Sequence, residues 1–207
     1  MNEKYELTEE FKEIETLREG WLQKIKVYRI RALRAFADVK IGDLGGFVET
    51  KQNLSNMGNA WVYGDAWVCG NAEVCGDAWV RDNAWVCGNA RVCNNARVYG
   101  NARVCDNAKV YGNAEVCSNA KVCDNANIFW CSSIGSRHAT TTMFRNKDNG
   151  ITVTCGCFMG TLEEFAAIVE KEHGENIFGK EYKLLIELAK IHFGLQDETK
   201  GEEENGI

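Results

Sequence analysis

Proline is absent from all 207 residues, so no turn in this chain is set by a pyrrolidine ring. Corners must instead be made by Gly, Asn and Asp, which tolerate a left-handed backbone. No apolar run approaches the roughly 18 residues that a spanning helix needs. Met1 to Glu19 is charged throughout, without the apolar stretch of a secretory leader. A soluble cytoplasmic protein with no membrane partner is expected. Basic residues do not dominate either: 24 Lys and Arg face 30 Asp and Glu, a net charge of -6. That argues against duplex nucleic acid as a partner while leaving local basic patches open. Histidine is scarce, with only His138, His173 and His192.

What is present is a repeat. A β-branched residue recurs at every sixth position from Val62 through Val68, Val74, Val80, Val86, Val92, Val98, Val104, Val110, Val116 and Val122 to Ile128. Alanine stands two residues before each, from Ala60 to Ala126. Turn pairs such as Gly64-Asp65, Asp82-Asn83 and Asn94-Asn95 fall between the units. A period of six matches no helix, whose repeat is 3.6. It fits four strand residues and a two-residue corner, three units closing one triangular coil. Side chains alternate along a strand, so Ala and Val share the inward face. The twelve units from Ala60 to Ile128 then make about four coils stacked roughly 4.8 Å apart.

On an 18-residue coil the outward side chains form ladders. Before valine they are Trp61, Trp79, Arg97, Glu115; Trp67, Trp85, Arg103, Lys121; and Glu73, Arg91, Lys109, Asn127. After valine they are Cys69, Cys87, Cys105, Cys123; Cys75, Cys93, Tyr111, Phe129; and Tyr63, Arg81, Tyr99, Cys117. Stacked cysteines come within disulfide range, but same-pointing side chains make the torsion awkward. No His or CxxC spacing supports a closed metal site, so no metal is expected. Reduced thiols acting as small apolar residues against other subunits are the expectation. The stacked tryptophans suggest a homo-oligomer contact, most simply a trimer. A second reading starts from the arginines that succeed them. Trp61, Trp67, Trp79 and Trp85 with Arg81, Arg91, Arg97 and Arg103 would suit a small anionic, nucleotide-like ligand. Both hold at once if the ligand sits between subunits.

The flanks read differently. Residues 1 to 20 suggest an amphipathic helix with Leu7, Phe11, Ile14 and Leu17 on one stripe. Lys24 to Leu33 alternates as a strand, and Ile41 to Asn59 reads as an irregular capping coil. After Ile128 the period stops. A hairpin is expected up to Phe158, then a helix opened by the capping box of Thr161 and Glu164, then a second helix from about Lys180 to Phe193. Ser136, Arg137 and His138 could meet an anion with amides from the helix start at Thr161, or Arg137 could make a structural ion pair. Cys155-Gly156-Cys157 is too closely spaced for a CxxC redox pair. The divisions are a cap over 1–58, a β-helix over 59–130, a ββαα module over 131–195 and a disordered acidic tail over 196–207.

The string from Tyr28-Arg29-Ile30-Arg31-Ala32-Leu33 through Gly42-Asp43-Leu44-Gly45-Gly46-Phe47 to Asn53-Leu54, followed by Asn-Ala-x-Val units, resembles a family of bacterial and phage-encoded hexapeptide-repeat proteins. Its members are often labelled transferases or polymer-forming proteins. The resemblance implies a mainly β fold with a left-handed parallel β-helix, an exception to the right-handed crossover rule. Acyltransferases of this architecture use a histidine base in or beside the coil. Here no histidine lies in the repeat and no loop is extruded from it, and only His138 could stand near the last coil. The expectation is a non-catalytic oligomeric binder without a cofactor, by analogy a phage-encoded sponge for a host nucleotide signal. An acyl-CoA-dependent acyltransferase and a scaffold are the alternatives.

Overall fold

A computed structural model describes residues 3–18 and 20–195; the side chains of residues 17, 18 and 126 and the tail assigned to 196–207 lie outside that description. The chain opens with a long antiparallel hairpin, β1 (Tyr5–Arg18) and β2 (Trp21–Ala32), followed by β3 (Leu44–Val48). Eleven two-residue strands follow, β4 (Trp61–Val62) to β14 (Lys121–Val122). Then come β15 (Ile128–Ile134), β16 (Ala139–Arg145), β17 (Ile151–Cys155) and β18 (Phe158–Thr161). Two helices end the described chain, α1 (Leu162–His173) and α2 (Ile177–Phe193).

The middle is a parallel β-solenoid of about four turns. Residues eighteen apart lie side by side, so that Trp61 pairs with Trp79, Trp79 with Arg97, and Arg97 with Glu115. Ala and Val from Ala60 to Val122 fill the interior at 2 % exposure or less. The corners repeat as well. Asn83 donates to Asn101 and Asn101 to Asn119, and Gly76 takes φ +70° where a Cβ would stand 2.8 Å from the Asn94 nitrogen.

Residues 5–18 form a strand and not a helix. Leu7, Phe11 and Ile14 have helical spacing, yet a register shift between Leu7 and Phe11 breaks the strand's own alternation. The pairing across the hairpin suits a strand, with Glu6 opposite Arg31, Glu13 opposite Lys26, Glu15 opposite Lys24 and Ile14 opposite Ile25. The hairpin and β3 extend one solenoid face into a seven-stranded sheet. They also fold over it. Val27, Phe47, Trp67 and Cys69 form a buried cluster with Ile14 and Ile25 against Trp85 and Cys87. Lys12 bridges to Asp65 at 2.6 Å and lies over the Phe47 ring.

The first coil closes around Trp61, which is 1 % exposed. The Tyr5 ring meets it edge-on at 6.1 Å and Phe36 at 5.3 Å. Lys4 is buried beside them and donates to the Ala60 carbonyl at 2.9 Å. Buried Asn53 donates to the carbonyls of Gly70 and Ala72, both at 2.9 Å.

At the far end Ile128 does not complete a coil. It starts the outermost strand of a four-stranded antiparallel sheet, β15-β16-β17-β18, where a two-stranded hairpin had been expected. That sheet stops the solenoid: Phe144 enters the solenoid's core cluster, Thr142 Oγ1 accepts from the Glu115 N–H, and Lys147 N–H donates to Asn119 at 3.1 Å. On its other side α1 and α2 enclose a second core of Met143, Val153, Phe165, Tyr182 and Ile186. Thr161 and Glu164 form the capping box of α1, while α2 begins at Ile177 behind its N-cap Asn176, earlier than its apolar stripe suggests. Among the described residues no helix is long and apolar enough to cross a membrane.

Trp61→Ala should cost about 3–5 kcal/mol of unfolding free energy. Trp21→Ala, at a hairpin residue that is 76 % exposed, should change it by less than about 0.5 kcal/mol; denaturant unfolding followed by circular dichroism measures both. Lys4 supplies a pH signature. Burial first, then the nearby Arg34 charge, holds its pKa down at about 8 from 10.5, with Asp77 opposing. The unfolded chain keeps that proton to a higher pH, so the folded state gains stability as pH rises from about 8 to 10.5 and none below. Lys4→Met should lack that gain relative to wild type.

Candidate functional site

Register dictates what each outward ladder becomes. On the Trp61 face, Trp79 is half-buried with Tyr63 at its edge, and the Arg97 guanidinium lies 4.9 Å from its ring centre. Arg97 pairs onward with Glu115 at 3.0 Å. Arg81 stacks over Tyr99 at 5.0 Å and Arg91 pairs with Glu73 at 2.8 Å. These three arginines of the expected ligand set are thus engaged within the fold. Trp61 and Trp67, expected on exposed faces, are covered by the chain's own N-terminal segment. A trimer contact through those two tryptophans is therefore not available.

The Trp67 ladder ends otherwise. Trp67 and Trp85 lie 4.6 Å apart, and the Arg103 guanidinium rests 4.0 Å from the Trp85 ring centre. Lys121 follows in register. The β16–β17 turn brings Lys147 to the same place, fixed by its backbone bond to Asn119. Beside these cations runs the amide ladder of Asn83, Asn101 and Asn119. Together they line a groove of about 500 Å³ with no Asp or Glu among the described residues that line it, and Lys147 stands 4.0 Å from the carboxylate of its neighbour Asp148. Both faces of Trp85 are occupied, one by Trp67 and one by Arg103, so the arginine is held in place and only the indole edge remains open.

Ser136 and Arg137 line a separate cleft of about 360 Å³ with Cys155, Phe158, His173 and Tyr182. The helix start expected to supply amides there is self-capped, since Thr161 N–H donates to Glu164 at 2.8 Å and Glu164 N–H donates back to Thr161 at 3.2 Å. The anion reading of Ser136 and Arg137 loses that support. His138 lines a third cleft of about 250 Å³ with Glu115, Ser132, Ser133 and Thr154. His173 packs on Tyr182 and His192 on Phe129.

The cysteine ladders correct the expectation of free thiols throughout. Parallel stacking brings Cα atoms to 4.6 Å at Cys75–Cys93 and 4.4 Å at Cys105–Cys123, and both pairs are disulfide-bonded. Cys69 and Cys87 remain thiols. The Cys69 hydrogen bond lowers the Cys87 pKa, burial opposes it, and Arg103 adds to the lowering. Cys105, Asp106 and Cys123 place three metal-binding groups within 4.8 Å, but the two sulfurs are bonded to each other.

Sequence reasoning found Trp85 and Arg103 and placed Lys121 on the same ladder without assigning it a role. It missed Lys147, which no periodicity marks. A family model described as the YdcK β-solenoid repeat matches residues 84–100 and again 90–106, two placements offset by one six-residue unit. That stretch holds Trp85, Arg91, Arg97 and Arg103. No curated protein matches the chain.

Proposed function

We propose that this protein is a non-catalytic binder that sequesters a small phosphate-bearing, nucleotide-like ligand in the groove of Trp85, Arg103, Lys121 and Lys147. The observation that carries this reading is the convergence of three cations, Arg103, Lys121 and Lys147, on a groove whose described lining residues include no Asp or Glu. Guanidinium and ammonium groups bind phosphate through charge-assisted hydrogen bonds. The amides of Asn83, Asn101 and Asn119 offer donors and acceptors along one wall, and the Trp85 edge offers contact to a base. A groove of about 500 Å³ suits a mononucleotide or dinucleotide rather than a polymer. Asn, Arg, Lys and Trp include no group that accepts a proton at neutral pH, which supports binding over turnover.

The resemblance to phage-encoded hexapeptide-repeat proteins adds two expectations to this reading, a left-handed coil and a sponge role in a host cytoplasm. An acyl-CoA-dependent transferase is the second reading, favoured by one observation: His138 and Glu115 share the cleft at the end of the solenoid.

Calorimetric titration with cyclic dinucleotides, cyclic ADP-ribose isomers and acetyl-CoA tests both. Binding of a phosphate ligand should weaken about 10- to 100-fold in Arg103→Ala, Lys121→Ala or Lys147→Ala and stay unchanged in Arg91→Ala. Affinity indifferent to Arg103 and Lys121 overturns the groove. Turnover of acetyl-CoA that disappears in His138→Ala supports the transferase instead. No binding across the panel leaves a scaffold.

A further inference from the structure

Helix α2 is apolar on two sides. Tyr182, Leu185, Ile186, Ala189 and Phe193 face the sheet and α1 and are 6 % exposed or less. Ile177, Leu184, Leu188 and Ile191 point away at 65, 72, 52 and 77 % exposure, with Leu195 just beyond the helix at 37 %. At 3.6 residues per turn the four helical positions Ile177, Leu184, Leu188 and Ile191 fall within a strip about 60° wide. From Leu184 the steps within the helix are four and three residues, to Leu188 and Ile191, the spacing of a helix–helix seam. A strip of large aliphatic side chains this regular is not surface noise, since monomers rarely expose continuous apolar patches.

The charges beside the strip select the occupant. Lys180 and Glu187 are both exposed and lie on the same flank, seven residues apart. Consider two copies of α2 packed antiparallel about a two-fold axis near Leu184. Ile177 of one copy then meets Ile191 of the other, Leu184 meets its own counterpart, and Lys180 meets Glu187 twice over. In a parallel pairing the same charges would be separated by about 10 Å along the axis. Glu187 is held in place by Lys190 of its own helix at 2.9 Å, which pre-orders it for such a contact.

We propose that the chain forms a two-fold dimer by antiparallel packing of α2 against α2 of a second copy. The pairing is isologous, so one face satisfies itself and the assembly closes at two. It replaces the trimer expected through the tryptophan faces and uses no residue of the groove, so it stands whether or not the groove binds phosphate.

Light scattering on the full chain at tens of micromolar should give twice the chain mass. Leu184→Lys should give the monomer with an unchanged circular dichroism spectrum, because that side chain is exposed in the single chain. Lys180→Glu and Glu187→Lys should each weaken the dimer about tenfold, and the double exchange K180E/E187K should recover it. A wild-type monomer, an oligomer that survives Leu184→Lys, or a double exchange that fails to recover would each overturn the proposal.

Discussion

Along the solenoid, peptide N–H groups on successive rungs donate to carbonyls seventeen residues further on. Trp67 donates to Ala84 at 3.1 Å, Cys69 to Val86 at 3.0 Å, Trp85 to Ala102 at 2.8 Å and Arg103 to Ala120 at 2.9 Å. This ladder fixes parallel, in-register stacking, with Val68 beside Val86 and Val86 beside Val104. Every other feature follows from it. An inward position must be filled by Ala or Val on every rung, and an outward position becomes a column whose members touch whether or not they suit one another.

The columns are written to suit. On the Trp61 face two indoles are followed by Arg97 and then Glu115, so each rung offers the next an aromatic face, a cation or an anion. Stacked Asn side chains bond along the corners in the same way. The Trp67 column ends in two successive cations, Arg103 and Lys121, as the Glu73 column ends in Arg91 and Lys109. There Arg91 is paired with Glu73, whereas at the Trp67 column the sheet that stops the solenoid adds a further cation, Lys147. Like charges stacked in this manner are unfavourable by themselves, so an anionic ligand would offset a cost already built into the column. The apolar end of that column needed cover, and the N-terminal hairpin supplies it from within the chain.

The solenoid was legible because its period is local: Val and Ala recur at a fixed offset that no helix shares. The helices were legible for a similar reason, through the Thr161–Glu164 cap and the stripe of Tyr182, Leu185, Ile186 and Ala189. What failed was anything fixed by distant pairing. Leu7, Phe11 and Ile14 carry a helix spacing, and the partners they meet as a strand, Ile30, Tyr28 and Ile25, lie across the hairpin. Ile128 keeps the period yet belongs to an antiparallel strand, since its partner Phe144 is offered by the closing sheet. Lys147 reaches the groove through a turn, and only the assembled structure shows that Trp61 and Trp67 are consumed by folding.

That division of the tryptophans, two spent on the fold and Trp85 left at a basic groove, is the central claim. Oxidative footprinting with mass-spectrometric readout tests it most directly on the native protein. Trp21 should be modified fastest, Trp85 at an intermediate rate, and Trp61 and Trp67 slowest, following their exposure. Oxidation of Trp61 and Trp67 at the rate of Trp21 would contradict the covering hairpin and return the tryptophan faces to the surface.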